Sequence, residues 1–153
     1  MRMLSILFLA TGLWVVAHAA DEVSGRIIKV LPFFLDQEGQ IAKSPSLYDR
    51  DAYQAKLREN TNLVSGISYH VLWSAKNAGD ARLKVRVELR GVTAGNLPEF
   101  KTLETEVKDG FFRKWTELPL SGNEYHQFGG VTAWRATLWD GDKLLGEQKS
   151  FLW

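Results

Sequence analysis

Leu83-Lys84-Val85-Arg86-Val87-Glu88-Leu89-Arg90 decides the fold. Four aliphatic residues alternate with four charged ones without a break. A period of two is what a β-strand with one greasy and one wet face requires, whereas a helix would spread Leu83, Val85, Val87 and Leu89 around its axis. The segment before it reads the same way. Ile67, Tyr69, Val71, Trp73 and Ala75 alternate with Ser68, His70, Leu72 and Ser74, and Asn77-Ala78-Gly79-Asp80 supplies the turn between the two strands.

Working outward, the run from about Val23 to Leu35 is almost continuously apolar. Pro32 inside it removes a ladder donor and marks an edge strand or a bulge. Residues 44–60 break the β pattern. Ser46 followed by Asp49 resembles a capping box, and Tyr53 and Leu57 lie four apart, so a short helix over 46–58 is expected between the first two strands. Downstream come a weaker strand near Phe100–Lys108, a hairpin signal at Asp109-Gly110 and a return from Phe111 to Leu118 that includes Trp115. Ser121-Gly122-Asn123 and Gly129-Gly130 bracket a segment that reads as loop. Trp134, Ala136 and Leu138 share one face of a strand, and Asp140-Gly141 turns the chain into a last strand from Lys143 to Trp153. About seven short strands with regular turns predict a mainly β protein, a single immunoglobulin-like sandwich with one inserted helix.

The first nineteen residues stand apart. Met1-Arg2-Met3 is a short positive start, Leu4 to Val16 is largely apolar, and Ala17-His18-Ala19 places small residues where a signal peptidase cleaves. Residues 1–19 are therefore expected to be a signal peptide and 20–153 the sandwich domain, in a periplasmic or secreted protein. The apolar run falls short of the roughly 20 residues a membrane span needs, so no span is expected after cleavage. Removing 19 of 153 residues leaves 134, enough to bury roughly two-thirds of the unfolded surface in one core. Losing Arg2 brings Lys and Arg from 19 to 18, equal to the 18 Asp and Glu. A net charge of zero gives no long-range pull toward nucleic acid or anionic lipid. The chain has no cysteine, so disulfides, thiolate chemistry and cysteine zinc sites are excluded.

The strand layout, with Trp73 on an early inner strand, resembles fibronectin-III and immunoglobulin-like domains. The ending Ala133-Trp134-Arg135-Ala136-Thr137-Leu138-Trp139-Asp140-Gly141-Asp142, closing on Ser150-Phe151-Leu152-Trp153, looks like a group of small exported bacterial sandwich proteins of unassigned function. The resemblance implies the fold and export, and brings no catalytic residues. The cysteine pair of antibody domains is absent, and Tyr125 is only a loose match to a tyrosine corner.

No catalytic or metal-binding residues and no cofactor are expected. His70 and His126 lack any His-x-His or His-Glu-x-x-His spacing, and there is no Gly-x-Ser-x-Gly elbow or phosphate loop. A hydrolase is the least supported reading, and both histidines are expected at the surface. The row Arg82, Lys84, Arg86, Arg90 is the densest run of one sign and is expected to be balanced by Glu104 and Glu106 across the sheet. Aromatics remain. Trp73 and Trp134 fall on apolar faces, while Phe111, Phe112, Trp139 and Trp153 are the candidate binding residues. Phe111 and Phe112 are adjacent on a strand, so one of them should face outward. The expectation is a non-enzymatic binding module that engages an envelope or extracellular protein; a carbohydrate-binding module using exposed tryptophans is the alternative. No nucleic-acid partner is expected.

Overall fold

The computed structural model describes residues 22–108 and 112–153. The proposed signal peptide, the Asp109-Gly110 turn and Phe111 lie outside the described residues. Seven strands and two helices follow in the order β1 (Ser24–Asp36), α1 (Leu47–Glu59), β2 (Val64–Lys76), β3 (Leu83–Val92), β4 (Pro98–Glu106), β5 (Lys114–Ser121), α2 (Gly122–Phe128), β6 (Gly130–Asp140) and β7 (Lys143–Lys149).

All pairings are antiparallel, and they form two sheets of order β1-β2-β5 and β4-β3-β6-β7. This is an immunoglobulin-like sandwich whose fourth strand pairs with the third rather than with the fifth. The decisive stretch behaves as its alternation requires. Leu83, Val85, Val87 and Leu89 are buried in the shared core with Tyr69, Val71 and Trp73 of β2 in the other sheet and beside Ala136 and Leu138 of the neighbouring β6. Trp73 sits at the centre of this core and satisfies its single donor by an Nε1–H bond to Thr116 Oγ1 at 2.8 Å.

The edges of the sheets are guarded by particular residues. Pro32 lies on β1, which is an edge strand, as its missing donor requires. Two residues on, the outward-facing peptide groups of Phe34 are taken by Gln54 of α1. Gln54 Oε1 accepts from Phe34 N–H at 2.8 Å, and Gln54 Nε2 donates to the carbonyls of Phe34 at 2.9 Å and Ile41 at 2.8 Å. The helix therefore closes an otherwise open sheet edge. The opposite end of β1 closes against β7. A Cβ on Gly146 would lie 2.8 Å from Arg26 Cα, so only glycine lets the two edge strands approach there.

The helix begins as its sequence predicts, with Ser46 as N-cap accepting from Asp49 N–H. Three expectations need correction. Residues 122–128 form a second short helix, α2, rather than a loop, because Phe128 packs into the core against Gly91 and Tyr125 packs beside it. The weaker strands are displaced by two or three residues, to 98–106 and 114–121. The last strand ends at Lys149, because Ser150 turns the chain: its hydroxyl accepts from Trp134 N–H and its own N–H donates to the Trp134 carbonyl.

Candidate functional site

The outer face of β4-β3-β6-β7 is set by the register. Lys84, Arg86, Glu88 and Arg90 point outward from β3. Glu106, Glu104, Thr102 and Phe100 lie opposite them on β4, and Trp139, Thr137, Arg135 and Ala133 on β6. Cross-strand pairing neutralises part of the basic row, through Glu104 and not through Glu106. Glu104 takes both Lys84 (3.2 Å) and Arg86 (2.9 Å), and Glu88 takes Arg135 at 2.7 Å. Hydrogen bonds from Lys84 and Arg86 hold the Glu104 carboxyl below its usual range. Glu106 makes no ion pair among the described residues.

Trp139 and Trp153, two of the candidate residues, come to this one face. Arg86 lies over the Trp139 ring at 5.3 Å. The turn after Ser150 swings Trp153 back over the sheet, where Arg90 stacks on its ring at 4.0 Å and Arg135 approaches at 5.2 Å. Arg90 has no carboxylate partner among the described residues, and its cross-strand neighbour Phe100 is 68% exposed. Both indoles are half-buried.

The third described candidate lies elsewhere. Phe112, 84% exposed, precedes β5 and the outer face of the three-stranded sheet. There the register sets Trp115 opposite Leu72, Glu117 opposite His70 and Pro119 opposite Ser68. Trp115 is 50% exposed and escaped the sequence reading. A period-two reading of 114–121 would have found it, because Leu118 and Leu120 are core and Trp115, Glu117 and Pro119 share the other parity. Trp134 is only partly buried; it packs on the core beside Tyr69 and lines a cleft of about 280 Å³ between the sheets.

The expected surface position of His70 is also corrected. It points outward from the sheet but lies under α1, its side chain 14% exposed, edge-on to Phe33 and 3.6 Å from Glu117. Burial pushes its pKa below 6.5; Glu117 opposes this and Arg50, stacked on Phe33, reinforces it. The native state thus favours the neutral ring. Stability is fully present above about 6.5 and falls as the pH drops through the lowered native value. In thermal melts between pH 5 and 8, His70→Gln is expected to lose the part of the acid-side decline that begins below 6.5. An unchanged slope would remove His70 as its source. His126 lies on α2, against Tyr125, and no group of three His, Asp or Glu residues could hold a metal among the described residues.

No family model matches the chain, and no curated protein matches it. In structure it is similar to an immunoglobulin-like protein from Pseudomonas aeruginosa, at 16% identity and a TM-score of 0.39, over 86% of this chain and 96% of that one. No described helix is long and apolar enough to cross a membrane.

Proposed function

We propose that the chain is an exported, non-enzymatic binding module that engages an envelope or extracellular protein through the end of the four-stranded face carrying Phe100, Arg90 and Trp153. The observation that carries this reading is the state of Arg90. Its cation rests on the Trp153 ring at 4.0 Å, has no carboxylate partner among the described residues, and stands beside a phenyl ring that is two-thirds exposed. A guanidinium held over an indole has less rotamer freedom left to lose on binding, and arginine and aromatic anchors dominate protein interfaces. Export draws on the leader-like residues 1–19.

The test is a photo-cross-linking amino acid placed at Phe100 in exporting cells, with the same group at Glu59 as control. A discrete adduct is expected at Phe100, absent at Glu59 and lost on adding Arg90→Glu. Identical products at both positions would refute the reading.

The glycan alternative is favoured by one observation, that Trp139 and Trp153 share a face. Each indole already carries a guanidinium, however, and a sugar ring would have to displace it. Saturable fluorescence quenching by soluble glycan oligomers, abolished in Trp153→Ala, would establish that alternative over the first.

A further inference from the structure

The opposite face of the sandwich differs in kind. On the outer side of β1-β2-β5 the register aligns Ser24 with Lys76, Arg26 with Ser74, and Lys29 with Leu72, which in turn faces Trp115. Arg26, Lys29 and Lys76 are exposed, and none has an ion-pair partner among the described residues. On the four-stranded face Lys84, Arg86 and Arg135 are paired with glutamates; on this one all three cations are without an ion pair among the described residues. Ser24, Gly25, Arg26, Ser74 and Lys76 moreover line a notch of about 250 Å³. Two hydroxyls and two cations, with no carboxylate in the lining, make a donor set for an anionic oxygen group. Trp115 projects from the same sheet, half exposed, and Phe112, more than four-fifths exposed, lies three residues before it.

We propose that this face docks on an anionic phospholipid surface, with a headgroup phosphate in the Ser24–Arg26–Ser74–Lys76 notch and the Trp115 ring in the interfacial layer. Charge complementarity selects the occupant. The cations are unneutralised and spread over one sheet face, and each is worth about 1 kcal/mol near an anionic leaflet. Tryptophan, with an apolar body and a polar N–H, partitions to the headgroup level. Lys29 and Arg26 on β1 place their charges on the same side as the Trp115 ring, so a single orientation satisfies both contributions. A near-zero net charge is no obstacle, because screening over about 10 Å lets the nearest face dominate. The site is independent of Arg90 and Trp153, which lie on the other sheet.

The purified protein is sedimented with phosphatidylcholine vesicles and with vesicles containing one-third phosphatidylglycerol. Binding only to the anionic vesicles is expected, weakening as salt rises. Lys29→Glu with Lys76→Glu should lower it by roughly thirtyfold or more, and Trp115→Ala by about fivefold. Lys149→Glu on β7 should leave it unchanged, and circular dichroism checks that every variant is folded. Equal binding to both vesicle types, or binding unaffected by the double charge reversal, overturns the proposal; the latter is also what an attached apolar leader would give. Inorganic phosphate is titrated in parallel by NMR. Shifts at Arg26 and Lys76 without vesicle binding would assign the notch to a soluble anion and overturn the membrane reading.

Discussion

Replacing Gln54 with leucine is expected to destabilise the fold by about 3–4 kcal/mol, the largest single effect predicted for this protein. Gln54 is 3% exposed, yet it carries three hydrogen bonds to main chain of the first strand and the loop after it. Leucine fills much the same space but can neither donate nor accept. The Phe34 N–H and the Phe34 and Ile41 carbonyls, all partly buried, then lose their partners, at roughly 1–3 kcal/mol each before relaxation and water entry. Added apolar burial returns part of that, which sets the figure near the lower end. For a domain of this size the melting temperature should fall by roughly 10 °C or more. There is a second consequence. With its cap gone, the end of β1 past Pro32 exposes a donor and an acceptor to other chains, so the variant should also self-associate. Urea unfolding and size-exclusion chromatography read the two effects separately. A stable monomer would mean that α1 does not seal this edge.

The prominence of Gln54 shows where sequence reading stops. Leu83–Arg90 specified its own strand because alternation is local: each residue carries its side of the sheet in its parity. Pro32 announced an edge or a bulge, and Ser46 a helix start, for equally local reasons. Nothing around Gln54 marks it, since an amide in a polar helix reads as solvent-facing, and its burial is fixed by a strand twenty residues away. Helix α2 was hidden differently. Its flanking Ser121-Gly122-Asn123 and Gly129-Gly130 are loop chemistry, and the only helical signal was Tyr125 and Phe128, three apart. The last strand was read too long because Phe151-Leu152-Trp153 is apolar enough to continue it; the turn depends on a hydroxyl bond from Ser150 to another strand.

The site followed the same rule. Trp139 and Trp153 could be named from the sequence, but not the arginines stacked on them, because those contacts cross from one strand or tail to another. Charge was the least legible quantity. On β3, Glu104 of β4 takes Lys84 and Arg86 and Glu88 reaches across to Arg135, while Arg26, Lys29 and Lys76, scattered over fifty residues, come together on one face without an ion-pair partner among the described residues. A composition sums to zero whether charges are mixed or segregated; only register distinguishes the two cases.

Asp36→Ala is expected to cost about 3 kcal/mol at neutral pH and to bring with it a changed acid response. Asp36 ends β1 and is buried, and all its bonding capacity is used. Oδ1 accepts the N–H groups of Glu38 and Gln40 at 2.9 Å, which sets the loop beyond the strand. Oδ2 accepts the Tyr53 hydroxyl at 2.7 Å and faces Lys43 at 2.7 Å. Alanine orphans two partly buried amides and a hydroxyl, at about 1 kcal/mol each. The Lys43 ammonium is nearly half exposed and simply returns to water, so it adds little to the total. Burial by itself would raise the carboxyl, but the bonds from Lys43, Gln40, Tyr53 and Glu38 outweigh it and hold Asp36 well below its ordinary 3.8. With a lowered native value, the stabilisation is fully present above about 3.8 and is lost as the pH falls from there through the native value. The stability gap between wild type and Asp36→Ala should therefore be constant from neutral pH to about pH 5 and should narrow below pH 4. Asp36→Asn keeps an acceptor for the two amides while losing the charge, so it should fall between the two and respond little to acid. Urea unfolding of the three proteins across that range measures the gap directly. A gap that stays constant down to pH 3 would show that the native carboxyl titrates as it does in the unfolded chain, so that these bonds do not favour its charged form.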